Sequence, residues 1–95
     1  MKAGIQTFSN ALNSLNQQKF EDSKAKLAKQ IAGSNCLSSE QIKQVCQTFK
    51  FEDAKLDFAK FAYNRCIDPS AYYKVNDVFT YSSSTDELTD FVTGN

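Results

Sequence analysis

The sequence predicts an all-α fold of about six short helices, arranged as three repeated helical hairpins in a compact bundle or superhelix. Three observations support this fold class: a recurring segment, apolar residues at helical spacing, and acids or serines where helices would begin. With 95 residues, of which 41% are hydrophobic, the chain is long enough to bury one core. We therefore expect a single helical domain over residues 1–95, with repeat units at about 3–33, 38–64 and 68–93.

The recurring segment is the most informative feature of the chain. The residues Lys-Phe-Glu-Asp at 19–22 return at 50–53, and the match continues to Lys29 and Lys60 at the same offset of 31 residues. At an offset of 30, a second set of apolar positions aligns: Cys36, Leu37, Ile42, Val45 and Phe49 match Cys66, Ile67, Tyr72, Val75 and Phe79. Recurrence at such a period is typical of stacked helical units.

The first repeat unit contains two predicted helices. The first runs from about Ala3 to Gln17 and places its apolar residues on one stripe: Ile5, Phe8, Leu12 and Leu15. The second starts near Glu21 or Asp22, because acids suit the positive end of a helix. It ends at Gly33, a residue type that commonly stops helices.

The second unit opens with the clearest start signal in the sequence. Ser38 and Gln41 have the spacing of a capping box, in which each side chain bonds a backbone N–H of the other residue. The third helix then buries a face of four residues: Ile42, Val45, Cys46 and Phe49. The fourth helix runs from Glu52 to about Asn64, and its apolar residues nearly encircle it, so we expect it to be the most buried helix.

The third unit has two further start signals. Asp68 and Pro69 predict a fifth helix that runs to Phe79, with the Asp68 side chain accepting from the first turn. Ser84 and Glu87 have capping-box spacing and predict a short last helix.

An aromatic residue precedes each even-numbered helix, at Phe20, Phe51 and Tyr81. The preferred interpretation is a hydrophobic staple, in which the ring packs onto the first helical turn and fixes the entry angle of the chain. In the alternative interpretation, the three rings line a groove for a partner.

The segment from residue 20 to residue 92 resembles an uncharacterised helical domain of about ninety residues, which is found at the C-terminus of many Bacteroidota proteins and in some eukaryotic ones. The matching residues lie in the second and third units: Phe51, Glu52, Asp53, Lys55, Leu56, Ala59, Tyr63, Asp68, Tyr72, Tyr73, Val75, Phe79, Ser82, Ser83, Ser84 and Leu88. The sequence has Lys24 and Lys55 where that family favours Arg. The resemblance supports the fold and implies no activity.

Composition excludes several classes of function. The chain has no His, so Ser/His and Cys/His catalytic pairs and His-ligated zinc are ruled out. Its 11 basic and 11 acidic residues balance, which disfavours nucleic acid as a partner. No apolar run is long enough for a membrane span. Cys36, Cys46 and Cys66 have no metal-site spacing and are expected to be small buried residues.

The carboxylates are the only candidates for catalysis or metal binding. Two adjacent pairs, at 21–22 and 52–53, stand where helices start, and the helix backbone already favours acids there. Four other acids offer oxygen ligands but lack EF-hand spacing: Asp68, Asp77, Asp86 and Glu87. A calcium-responsive protein or a small carboxylate enzyme is therefore the weakest hypothesis, and we predict no enzyme activity and no cofactor.

The main hypothesis is a non-catalytic module that binds a protein or peptide. Its candidate binding residues are four lysines at matching repeat positions and one tyrosine: Lys24, Lys29, Lys55, Lys60 and Tyr73. The lysines would form a basic strip, or else an ordinary solvated face. Tyr73 follows a residue aligned with the core, so its ring is expected near the surface. The alternative function is a structural or accessory domain of a larger protein without its own ligand.

Overall fold

The computed structural model describes residues 4–94 of the chain. Within this range it has five α-helices and one 3₁₀ helix: α1 (Gly4–Gln17), α2 (Glu21–Ser34), α3 (Ser39–Cys46), α4 (Glu52–Tyr63), η1 (Pro69–Val78) and α5 (Ser82–Thr93). No strand occurs over residues 4–94, and the only ladder contact there is one parallel bridge between Leu37 and Cys66. The predicted all-α class is confirmed. Ala3, the predicted first residue of helix one, lies outside the described residues.

The helices pack in two rows. One row contains α2, α4 and α5 side by side, and the other contains α1, α3 and η1. The two rows enclose a continuous core: Leu15, Ala28, Ala32, Leu37, Ile42, Val45, Cys46, Phe49, Phe58, Ala59, Ala62, Tyr72, Val75, Val78 and Leu88. As expected from its apolar residues, α4 is central, because it contacts α2, α3, η1 and α5. The three-hairpin arrangement itself stays a prediction.

The start of α3 confirms the predicted capping box. The Gln41 N–H donates to the Ser38 hydroxyl at 3.1 Å, and the Ser38 N–H donates to Gln41 Oε1 at 2.9 Å. Two backbone donors of the first turn, which have no partner inside the helix, are satisfied in this way. The predicted buried face of this helix is also confirmed, since Ile42, Val45 and Cys46 are fully buried.

Two predicted helix boundaries are wrong. Gly33 does not stop α2, which continues to Ser34; its φ is not positive, so it has no left-handed capping geometry. Ser84 does not open the last helix either, because α5 begins two residues earlier at Ser82. Ser84 is instead buried inside α5 and donates its hydroxyl to Glu52. The left-handed cap of the chain is at Gly94, with φ 83°, directly after α5.

The fifth predicted helix is a 3₁₀ helix rather than an α-helix. Its buried residues recur every third position, at Tyr72, Val75 and Val78, which is the period of a 3₁₀ helix. The prediction that Asp68 caps this helix is also wrong. Asp68 accepts from the Ser39 N–H at 2.7 Å and from the Ser39 hydroxyl at 3.1 Å, and so it caps α3. The bond from the Ser39 N–H lowers the pKa of Asp68 below its usual range.

Candidate functional site

The start of α2 is joined to the start of α4 by a carboxylate. Glu21 Oε2 accepts from the backbone N–H groups of Lys50, at 2.8 Å, and Phe51, at 3.0 Å. One turn along α2, the buried Lys24 donates its ammonium to the carbonyl of Thr48, just beyond the end of α3. We call such a pair, a Glu and a Lys three residues apart on one helix, a Glu-Lys clamp. The first clamp thus holds both ends of the connection from α3 to α4.

A second Glu-Lys clamp joins α4 to α5 through matching residues of the recurring segment. Glu52 Oε2 accepts from the N–H groups of Thr80 and Tyr81, each at 3.0 Å. Lys55 Nζ donates to the carbonyl of Val78 at 3.1 Å. Partial removal from water acts to raise the pKa of Glu52, but the N–H groups of Tyr81 and Thr80, the Ser84 hydroxyl and the Lys55 charge outweigh it and lower that pKa.

The start of α5, which follows the third aromatic residue Tyr81, has no clamp. Ser82 and Thr85 stand at the positions that match Glu52 and Lys55. Neither side chain is long enough or charged in the way needed to bridge to another helix end. The clamps therefore connect α2 to α4 and α4 to α5, and the series stops at α5 within the described chain.

The four lysines predicted as a basic strip all have partners inside the domain. Lys24 and Lys55 belong to the clamps, and Lys24 lies in the interior rather than on an exposed face. Lys29 forms an ion pair with Asp57 at 2.6 Å, and Lys60 forms one with Glu87. These contacts join α2 to α4 and α4 to α5, as the clamps do. A role of these lysines in binding a partner stays a prediction.

The clamps bring three helix starts together, and each start carries an exposed aromatic ring. Phe20, Phe51 and Tyr81 are the N-cap residues of α2, α4 and α5, and their side chains are 72%, 62% and 63% exposed. Because Glu21 bonds the N–H of Phe51 and Glu52 bonds the N–H of Tyr81, the three helix starts are neighbours. We call these residues the aromatic row. Packed helices lie about 8–10 Å apart, which sets the approximate spacing of the rings.

These exposures argue against the staple interpretation. A staple ring is covered by the first turn of its helix, whereas each ring of the aromatic row is mostly open to solvent. The helix starts are fixed in another way, by the carboxylates of the clamps. The exposed Lys19 and Lys50 precede the two phenylalanines, and the exposed Asp22 and Asp53 follow them closely. With the Glu and Lys of the neighbouring clamp included, each phenylalanine has two lysines and two acids within four residues.

Tyr73, the fifth predicted binding residue, lies elsewhere. Its side chain is 69% exposed, as expected, and it stands beside an open cavity of about 140 Å³ between η1 and α5. The cavity is lined mainly by apolar side chains on both elements: Tyr72, Tyr73, Asn76, Leu88, Thr89 and Val92. Tyr72 lies at the base of this cavity. The Tyr72 side chain is held there because its hydroxyl donates to the Ala59 carbonyl at 2.6 Å. Burial raises the pKa of this hydroxyl above its usual range.

Residues 4–92 match the family model described as a domain of unknown function (DUF4476). The match covers nearly the whole chain. The chain belongs to this family. This agrees with the resemblance of the sequence to an uncharacterised domain of about ninety residues. No curated protein and no solved structure matches the chain significantly.

Most carboxylates that were candidates for chemistry in this DUF4476 domain have structural partners. Glu21 and Glu52 bond helix starts, Asp68 bonds Ser39, and Asp77 pairs with Lys43 at 3.3 Å. Over residues 4–94, no three His, Cys, Asp or Glu side chains are grouped so that they could hold a metal ion. Within the same residues, no helix is long and apolar enough to cross a membrane.

The three cysteines of the DUF4476 domain are free thiols. Cys46 is buried as predicted, and burial raises its pKa to about 12. Cys66 is half-buried, and chiefly the same cause raises its pKa to about 11. Cys36 is exposed, so the prediction of burial is wrong for this residue. Thiolate, the reactive form, is therefore disfavoured at Cys46 and Cys66.

Proposed function

We propose that this DUF4476 domain is a non-catalytic protein-interaction module that binds its partner through the aromatic row. In this proposal the pairs α1–α2, α3–α4 and η1–α5 are three repeated hairpins, and each contributes one ring. The observation that carries the proposal is the exposure of Phe20, Phe51 and Tyr81 at neighbouring helix starts. Large exposed apolar groups that adjoin one another are typical of interaction sites, and Phe and Tyr are enriched in protein interfaces.

The charges around the row favour a protein over a polyanion. Each phenylalanine stands in a six-residue stretch, 19–24 or 50–55, that holds two lysines and two acids, so the local charge is balanced. Nucleic acids and anionic membranes need an excess of Lys and Arg, whereas apolar protein contacts do not. Beside Tyr81 the matching positions are the uncharged Thr80 and Ser83.

The spacing of the row fits an extended segment as the occupant. Three helix starts about 8–10 Å apart span roughly 20 Å. In a polyproline II helix, which has three residues per turn and rises about 3.1 Å per residue, side chains three positions apart lie on one face and are separated by a similar distance. We therefore propose a partner segment of about seven residues that presents apolar side chains at every third position.

The predicted lysines support this function indirectly. Lys24 and Lys55 hold the connections that end in Phe51 and Tyr81, and Lys29 and Lys60 pair the same helices further along. Their role in the proposal is to fix the spacing of the rings before a partner arrives. A rigid site loses less conformational freedom on binding and so binds more tightly.

The test replaces the rings without disturbing the core. In the triple variant Phe20→Ser, Phe51→Ser, Tyr81→Ser, we expect an unchanged helical circular dichroism spectrum, because exposed substitutions usually alter stability by less than about 0.5 kcal/mol each. Partners are captured from cells of the source organism with the tagged domain and identified by mass spectrometry. The matched control is Ile67→Ser, which removes an exposed apolar side chain that belongs neither to the row nor to the cavity beside Tyr73.

A photo-crosslinking amino acid at position 51 then locates the contact, with the same group at the exposed position 26 as control. The proposal requires a protein that is lost from the triple variant, kept by Ile67→Ser and crosslinked from position 51 alone. Equal capture by the triple variant, or no captured protein, overturns it.

The second candidate function is a structural or accessory domain of a larger protein without its own ligand. The observation that favours it is the use of all four predicted lysines in internal contacts. A natural chain that continues around this segment, combined with no captured partner, supports this alternative.

A further inference from the structure

We propose that the cavity between η1 and α5 is a second binding site, which takes one aromatic or branched aliphatic side chain of a protein segment flanked by Lys or Arg. This site is distinct from the aromatic row and does not depend on it. Tyr81 of the aromatic row is the N-cap residue of α5, and Val92 of the cavity lies eleven residues later on the same helix. This separation corresponds to roughly 16 Å along the helix axis. Substitutions at one site therefore leave the other intact.

The size and lining of the cavity set the kind of group that fits. Its volume is about 140 Å³, and the buried Tyr72 and Leu88 form its floor. An apolar cavity of about 150 Å³ in a protein can hold a benzene ring. Tyr73 and Thr89 are exposed at the rim, so the cavity opens to solvent. One apolar side chain that inserts from outside would displace water from this lining.

The charges beside the cavity indicate which residues flank the inserted side chain in the partner segment. Asp86 and Asp90 lie four residues apart on the exposed side of α5, next to Thr89, and the described residues provide no ion pair for either. Like charges at this spacing repel each other on a helix. No Lys or Arg stands in the last turn of α5, where the helix dipole adds further negative potential.

The charges on the other element facing the cavity cancel this potential only in part. On η1, the exposed Lys74 follows Tyr73 and forms no ion pair among the described residues. Asp77 on the same element pairs with Lys43 of α3. The charges of Asp86, Asp90 and Lys74 sum to −1, so a net negative charge remains beside the cavity. This charge is complementary to a cationic segment and would repel an acidic one.

The test uses three capped peptides of five residues and a ¹⁵N-labelled domain. The sequence Lys-Lys-Phe-Lys-Lys carries both proposed features, Lys-Lys-Ala-Lys-Lys lacks the apolar side chain, and Glu-Glu-Phe-Glu-Glu reverses the charge. We expect the first peptide to shift the amide resonances of Tyr73, Leu88, Thr89 and Val92 with a dissociation constant of roughly 1 mM, which is about −4 kcal/mol. The other two peptides should shift these resonances at least tenfold less at the same concentration.

Variants of the domain separate the two features. Thr89→Phe places a ring at the rim of the cavity and should abolish the shifts, and because Thr89 is exposed this change leaves the core in place. The double variant Asp86→Asn, Asp90→Asn should weaken binding about threefold to tenfold, the range expected for two exposed ion pairs. The matched control is Asp22→Asn, Asp53→Asn, which removes two exposed acids far from the cavity and should leave binding unchanged.

Three results would overturn the proposal. The first is no shift at these four residues with 5 mM of the first peptide, a concentration about five times the expected constant. The second is an equal response to the alanine peptide, which would show attraction by charge alone. The third is an equal response to the acidic peptide, which would show that the carboxylates of α5 play no part.

Discussion

The two Glu-Lys clamps consist of the same two residue types in different structural surroundings. In the first, Lys24 is buried and donates to Thr48, beyond an α-helix of eight residues; in the second, Lys55 is half-buried and donates to Val78, at the end of a 3₁₀ helix of ten residues. The carboxylates are equivalent as well, since each accepts from two consecutive N–H groups at the next helix start. The recurring segment therefore specifies contacts between the ends of elements, whatever type of helix lies between those ends.

The largest effect on the free energy of unfolding is expected from the core side chains of α4, the helix that both clamps contact. Phe58 of α4 is 1% exposed and packs against Phe49 with the ring centres 6.0 Å apart. Phe58→Ala should lower the free energy of unfolding by about 3–5 kcal/mol, the usual cost of removing a buried Phe. Urea denaturation followed by circular dichroism measures this. A single transition is expected; two transitions would show that the clamped junctions unfold independently, and a loss below about 1 kcal/mol would show that the ring is not a core residue.

The next largest effect compares the lysines of the two clamps. Lys24→Met should cost about 1–3 kcal/mol, because Lys24 is buried and water has little access to replace its ammonium on the Thr48 carbonyl. Lys55→Met should cost about 0.5–1.5 kcal/mol, because water can replace a half-buried donor. Both variants keep a long apolar side chain, so each one tests the ammonium alone. Equal losses in urea denaturation would contradict the role assigned to burial.

Burial of Lys24 also changes what a charge reversal there can show. If Lys24 and Lys55 belonged to a solvent-exposed basic strip, the double variant Lys24→Glu, Lys55→Glu would keep the helical fold and report only on binding. With Lys24 in the interior, a carboxylate at this position faces the Thr48 carbonyl and destabilises the domain. The aromatic row therefore offers the cleaner test of binding.

The carboxylate of the second clamp predicts a dependence of stability on pH. The folded state lowers the pKa of Glu52 below the ordinary value of 4.5, so the unfolded chain binds more protons in the acidic range. The stabilisation that the Glu52 carboxylate provides is present above pH 4.5 and is lost as the pH falls through the lowered pKa. Glu52→Gln should flatten the decline of unfolding free energy below pH 4.5, measured by urea denaturation at a series of pH values. Asp53→Asn is the control, and an unchanged decline in Glu52→Gln would exclude this contribution.

The smallest effect is expected from the ion pairs that lie beside the clamps. The side chains of Lys29 and Asp57 are 38% and 63% exposed, and those of Lys60 and Glu87 are 30% and 58% exposed. Lys29→Met and Lys60→Met should each lower the unfolding free energy by less than about 1 kcal/mol, as is usual for exposed pairs. Urea denaturation measures this change in unfolding free energy. A loss as large as that of Lys24→Met would show that the ion pairs, rather than the clamps, join the helices.

Local signals in the sequence were sufficient for most of the helices. The capping box of Ser38 and Gln41 depends only on residues three apart, and it opens α3 as predicted. The helical spacing of Ile42 and Val45 likewise gave the buried face directly. The 3₁₀ form of η1 was missed because Tyr72 and Val75 fit either period, and only the burial of Val78 in place of Phe79 separates the two.

The candidate site was harder to predict because its contacts cross between helices. The sequence offers Glu21 as a favourable residue for the start of its own helix, whereas its carboxylate bonds the start of α4. Asp68 was misassigned for the same reason. The recurrence of Lys-Phe-Glu-Asp did identify the rings of the aromatic row as candidates, but their exposure depends on which helix end each Glu reaches.

Serine and threonine at positions 82 and 85 have a consequence for protein design. A tandem array built from this domain needs each added unit to find both a Glu and a Lys at the clamp positions of the helix before it, and α5 has neither there. Elongation should therefore succeed when a second copy of residues 52–81 is inserted directly after Tyr81, where the existing junction chemistry is reproduced. Elongation after α5 would first require Ser82→Glu and Thr85→Lys. Two small residues, Ser82 and Thr85, thus distinguish α5 from the two helices that carry a clamp.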